Sequence, residues 1–190
     1  MKLVESILKQ STKPYYFIIV FLETVFESIF LFIPPEVFIT PSIIADKKKA
    51  LPVIISASIG SIVGGIISYL IGFYLFDSLG IWLIENFSSL EKFEIAKHLF
   101  IKHGILIIFI TAFTPVPYKL MAIAAGFIGY PIYLFIGISA IFRTGRFAII
   151  GTLLYIFQEK ANLILKKYFL PLTLLAIFFT IVGFLILTFL

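Results

Sequence analysis

The sequence predicts an all-α, multi-pass membrane protein, a helical bundle carrying two opposed re-entrant hairpins arranged as an inverted repeat. Three observations lead there. Of 190 residues, 61% are hydrophobic and 13% charged, against roughly 45–50% and roughly 25% in soluble domains, and the mean hydropathy is +1.14. The stretches Ala50 to Phe76 and Tyr168 to Leu190 hold no charged residue, and each exceeds the roughly 20 residues that a helix needs to cross hydrocarbon. Two further apolar blocks are each broken by prolines beside charged residues, the pattern of discontinuous helices in the two halves of a transporter.

The elements follow in order within one membrane domain. Residues 1–14 set Leu3, Val4, Ile7 and Leu8 at helical spacing among Lys and Glu, which suits a surface-lying amphipathic helix. Glu23 and Glu27 interrupt the apolar run that follows, and no small-residue cleavage site appears, so a signal peptide is not expected here. Residues 15–45 form the first broken block. Pro34-Pro35 removes two amide donors and cannot sit inside a continuous helix. Residues 50–76 are a span whose Ser56, Gly60, Gly64, Ser68 and Gly72 make a small-residue ridge for close helix approach. Residues 77–103 read as an amphipathic connector, with Leu90, Phe93, Ala96, Leu99 and Phe100 on one face. Residues 104–129 form the second broken block, interrupted at Pro115 and Pro117. Residues 131–157 and 168–190 are further spans. Backbone freed at such breaks cannot face lipid and must meet protein or water, so both blocks are read as re-entrant.

Many Phe, Ile and Leu residues without period-two alternation exclude a lipid-embedded barrel. Cysteine is absent, which excludes disulfides and thiolate chemistry. The net charge of +5 comes mostly from Lys residues beside apolar spans, where anionic lipid headgroups rather than nucleic acid are the natural partner. Glu23, Glu27, Glu36, Lys119, Arg143 and Arg146 lie in or at the edges of the apolar blocks. At about 2.5–3.5 kcal/mol for each charge at a helix centre, they are expected to converge on a polar cavity. Glu23 and Glu27, four apart, share a helix face, and their like charges favour a proton on one of them; Glu27 is the leading candidate. Arg143 and Arg146, at i and i+3, present two planar forks suited to phosphate. The bland alternative is structural pairing of these arginines with the acids. No enzyme motif is present, no catalytic residue, cofactor or metal site is expected, and His98 and His103 read as solvated surface residues.

Phe26-Glu27-Ser28, then Ile33-Pro34-Pro35-Glu36, then Phe113 to Lys119 leading to Ala124-Ala125-Gly126, then Arg143-Thr144-Gly145-Arg146-Phe147, together resemble the DedA family, most of all its small YqaA-like branch. The likeness covers roughly residues 15–157. It implies opposed re-entrant hairpins in the bacterial plasma membrane. It also implies a carrier, flippase or scramblase, that moves polyprenyl phosphate or phospholipid, in some members with protons. Carried over by position, the acids fall on Glu27 and Glu36 and the bases on Arg143 and Arg146, while Lys119 stands where other branches carry Arg. The resulting expectation is headgroup binding by Arg143, Arg146 and Lys119 with proton coupling through Glu27, Glu36 and Glu23. A proton- or cation-coupled solute transporter and a structural or assembly membrane protein are the alternatives, and a homo-oligomer is open.

Overall fold

The computed structural model describes residues 11, 13, 15–29, 33–76, 90–113 and 118–157. Among these, every regular element is helical: α1 (Tyr16–Glu27), α2 (Glu36–Ala45), a 3₁₀ turn (Lys47–Lys49), α3 (Ala50–Leu75), α4 (Leu90–Phe113), α5 (Tyr118–Ile128) and α6 (Ile132–Ile156). The N-terminal amphipathic segment, the 168–190 span and the Pro115 and Pro117 break lie outside the described residues.

Two helices have the length and composition to cross a membrane, Lys47–Leu75 and Ile132–Ile156, and they coincide with the expected spans at 50–76 and 131–157. The distribution of polarity adds to this. Ile55, Ile59, Ile67 and Phe73 of α3 and Ile141, Ile149 and Leu153 of α6 are exposed, whereas Ser56, Ser61 and Ser68 of α3 and Arg143 of α6 are buried. Apolar outer faces around an interior that also holds hydroxyls and a guanidinium are the reverse of what water selects, and they match a bilayer as solvent.

Helix α3 is the organising element, packing against α1, α5 and α6. Its small-residue ridge makes this possible. Four-residue spacing advances about 40° per step around a helix of 3.6 residues per turn, so the ridge winds and serves two partners in succession. A side chain at Gly60 would collide with Thr24 and the Phe21 carbonyl, and one at Gly64 with Val25 and Ser28, all on or just after α1. One at Gly72 would strike the Ile123 carbonyl of α5, and Gly126 answers from α5 against the backbone of Tyr69. Two apolar clusters result. One gathers Tyr16, Val20, Ile39, Ile43, Val53 and Phe147; the other gathers Tyr69, Ile108, Tyr118, Met121, Ala125 and Phe135.

Two boundaries differ from the sequence reading. The expected division between a connector ending at 103 and a block starting at 104 falls inside α4, which runs unbroken from Leu90 to Phe113. A change from amphipathic to wholly apolar does not end a helix, and Gly104 is covered by the Tyr130 ring rather than opened as a turn. The first block leaves helical structure after Glu27, before Pro34-Pro35 is reached. The Ser28 carbonyl accepts a hydrogen bond from Ser68 Oγ at 2.6 Å, so a neighbouring helix satisfies the backbone that the break frees.

These contacts set an expected outcome for the ridge. Gly72→Ala should cost about 1–3 kcal/mol by forcing α3 and α5 apart. Gly137→Ala, where an added Cβ meets nothing within 4 Å, should be neutral or stabilising by up to about 1 kcal/mol. Unfolding midpoints of the purified protein in detergent measure both.

Candidate functional site

Between the two apolar clusters lies a layer of buried charge. On α3, Ser61 stands between Ala57 of one cluster and Tyr69 of the other; on α6, Arg143 stands between Phe135 and Phe147. Arg143 is 1% exposed. Its Nη2 donates to Glu27 Oε2 at 3.2 Å, its Nε donates to Ser61 Oγ, and its guanidinium lies 4.5 Å from the Tyr118 ring centre and 5.3 Å from that of Phe147. A buried guanidinium thus has a counter-ion, a neutral acceptor and two aromatic faces.

Each partner is supplied by local structure. Glu27 closes the last turn of α1, where the helix dipole is unfavourable to an acid, and Arg143 offsets this. Ser28 Oγ donates to the same Glu27 oxygen at 3.2 Å and lies 3.3 Å from Ser61 Oγ, so the start of the break and the middle of α3 join one network. Arg146, one turn along α6, sends Nη2 to Glu36 Oε1 at 2.6 Å and Nη1 to the Ala112 carbonyl at 3.2 Å. Glu36 opens α2 directly after Pro35, a position where the dipole favours an acid. The second pair is wetter, its side chains 25% and 28% exposed against 2% and 20% for the first.

All six ionisable residues singled out from the sequence therefore have a defined place. Arg143 and Arg146 each meet one acid. Lys119, in the first turn of α5, is buried and in electrostatic range of Glu27. Glu23, one turn before Glu27, is buried, and both its carboxyl oxygens lack a hydrogen-bond partner among the described residues. Pro34 and Pro35 lie at the entrance to α2, with Pro35 as its N-cap. His98 is exposed on α4, and no group of three or more His, Asp or Glu suited to a metal occurs among the described residues. Sequence reasoning did not single out Ser61 or the Tyr118 face. Ser61 follows directly on a ridge position, and a hydroxyl on a charge-free span was its only signal.

Helices with apolar outer faces around a buried layer of paired arginines and acids define an α-helical membrane protein with an internal charged site. The chain belongs to the VTT-domain family, the DedA family, whose model matches residues 14–158. It is 31% identical over 144 residues to an uncharacterised protein of Haemophilus influenzae, covering 74% of this chain and 73% of the relative. It is 29% identical over 124 residues to an uncharacterised protein of Histophilus somni, covering 65% and 64%. No solved structure matches it.

Ser61→Ala should cost about 1–3 kcal/mol, since Arg143 Nε would be left buried without an acceptor. Ser58→Ala should change stability by less than about 0.5 kcal/mol, because the Ser58 hydroxyl only bonds back to Ile54 of its own helix. The difference between the two unfolding midpoints is the measurement.

Proposed function

We propose that this protein carries an anionic lipid, a polyprenyl phosphate or a phospholipid, across the bacterial plasma membrane as a flippase or scramblase without breaking bonds in it. One observation carries the reading: two guanidinium groups a helical turn apart, at the level of the first helix break, are each closed on a carboxylate oxygen. Glu27 and Glu36 stand where phosphate oxygens would stand. An entering headgroup takes the Arg143 and Arg146 forks with charge-assisted hydrogen bonds, Lys119 adds a third cation, and the acyl chains stay in lipid.

The order of elements supports the same reading. In each half a helix is followed by a short helix of 10 or 11 residues, a turn and a long helix of 26 or 25 residues. In this proposal α1 with α2, and the end of α4 with α5, are opposed re-entrant hairpins of an inverted repeat, with the charged layer where they meet. The acids Glu23, Glu27 and Glu36 supply coupling to protons.

The test is a liposome assay. Reconstituted protein should exchange fluorescent phospholipid or undecaprenyl phosphate between leaflets; uptake of a solute without lipid exchange would favour the solute transporter. Arg143→Lys and Arg146→Lys keep the charge and lose the fork, a difference of about 1.5–3 kcal/mol in charged hydrogen bonding. Each should lower the lipid rate by roughly 10- to 100-fold while the protein still reaches the membrane. Unchanged lipid transport in both would sink the clamp, and loss of protein from the membrane would favour purely structural pairing.

A further inference from the structure

The three acids of the charged layer are not equivalent. Glu27 and Glu36 each accept from a guanidinium. Glu23 is 7% exposed, and neither carboxyl oxygen accepts or donates a hydrogen bond among the described residues. The helices around this carboxyl bring few charged groups to it. Its own helix brings Glu27, and also Tyr16, whose hydroxyl is committed to the Phe38 carbonyl at 3.1 Å. Helix α2 brings Glu36, and α6 brings Arg143, which is already bonded to Glu27 and Ser61. Helix α3, packed along α1, carries no Asp, Glu, Lys or Arg.

An ionised carboxylate there would be stripped of water, without a donor among the described residues, and one turn from a second carboxylate. A buried acid in that situation takes a proton rather than bear the charge. We infer that Glu23 is the proton-binding acid of this site, neutral while Glu27 holds Arg143, and that its ionisation closes the site to an anionic headgroup. The second half rests on the lipid-transport reading above, and the first half does not. The proton thus sits one turn away from Glu27, the position that the sequence favoured.

The charge count explains the coupling. With Glu23 neutral, the remaining ionisable residues of this group are three bases and two acids: Arg143 pairs with Glu27, Arg146 pairs with Glu36, and Lys119 lies in electrostatic range of Glu27. A phosphate headgroup then enters a layer with one positive charge in excess and competes with Glu27 for Arg143 and with Glu36 for Arg146. With Glu23 ionised the excess is gone, and a second carboxylate in electrostatic range competes for Arg143. Anion binding and proton retention therefore support each other, and by linkage each strengthens the other by the same factor. The sign follows. Glu23 is neutral on the acid side, so transport is high there and falls as pH rises through its titration, approaching about tenfold per pH unit for one proton.

Two measurements test this. Infrared spectra of the purified protein at neutral pH, with hydrogen–deuterium exchange, should show the carbonyl stretch of a protonated carboxylic acid. The band should disappear in Glu23→Gln and remain in Glu36→Gln. A wild-type protein without the band, or a band that survives in Glu23→Gln, overturns the inference, and so does a carboxylate signal at Glu23 that depends on sodium. In proteoliposomes with fluorescent phosphatidylglycerol, Glu23→Gln should lose the wild-type fall in rate with rising pH; a retained fall overturns the coupling. A parallel arm with inorganic phosphate added to the lipid assay identifies the anion: competition with lipid exchange at acid pH that fades as pH rises supports a phosphate site, and indifference to phosphate at every pH overturns it. If Glu23→Gln does not accumulate, Glu23→Met takes its place, since a neutral acid without partners should accept an apolar side chain of similar length. Failure of both to reach the membrane would make Glu23 a structural charge and overturn the proposal. Loss of the band in Glu23→Gln together with no lipid exchange by the wild type would uphold the proton site and remove the transport reading alone.

Discussion

Arginine cannot shed its charge on burial, so a chain that holds Arg143 at 1% exposure must bring an anion, acceptors and polarisable surface to it. Nearly every unusual feature near the centre of the molecule answers that demand. Glu27 ends its helix where an acid is otherwise unfavourable, and Ser61 interrupts an apolar span with a hydroxyl. Tyr118 lays its ring beside the guanidinium, and Gly65 is small where a side chain would meet that ring. Replacing Arg143 by a lysine could meet part of the demand. It could not reach a carboxylate, a hydroxyl and two aromatic faces from one rigid plane.

The same demand explains why the fold is close-packed by backbone rather than by large side chains. A guanidinium excluded from water and lipid needs α1, α3, α5 and α6 near one another, and in lipid no hydrophobic drive presses apolar helices together. Small residues on α3 and Gly126 on α5 let carbonyls of one helix touch the next. The two apolar clusters lie on either side of the charged layer along α3 and α6. The result is a thin polar stratum in a body whose outer faces are Ile, Leu and Phe.

The two ion pairs of the site differ in exposure. The Arg146 and Glu36 pair, about a quarter exposed, is screened and weak by comparison with the enclosed Arg143 and Glu27 pair. In the proposed transport role, the wetter pair meets a headgroup first and the drier pair holds it. Both carboxylates stand at helix ends, Glu27 as the last residue of α1 and Glu36 as the first of α2, so both can shift without disturbing a helix interior.

Composition and spacing determined the class of protein, the two spans at 50–76 and 131–157, the winding ridge on α3 and the six ionisable residues. Each of these is a local or periodic property of the chain, and a buried charge is conspicuous wherever most neighbours are apolar. The end of the first helix at Glu27 and the continuity of α4 through Gly104 were not legible, because they depend on Ser68, 40 positions from Ser28, and on Tyr130, 26 positions from Gly104. Nor was the assignment of partners. Three acids and three bases allow several pairings, and only the packing of α1 and α6 across α3 decided that Arg143 meets Glu27, Arg146 meets Glu36, and Glu23 is left with neither. A pairing is a distance between helices, and the sequence by itself sets only which charges must be paired.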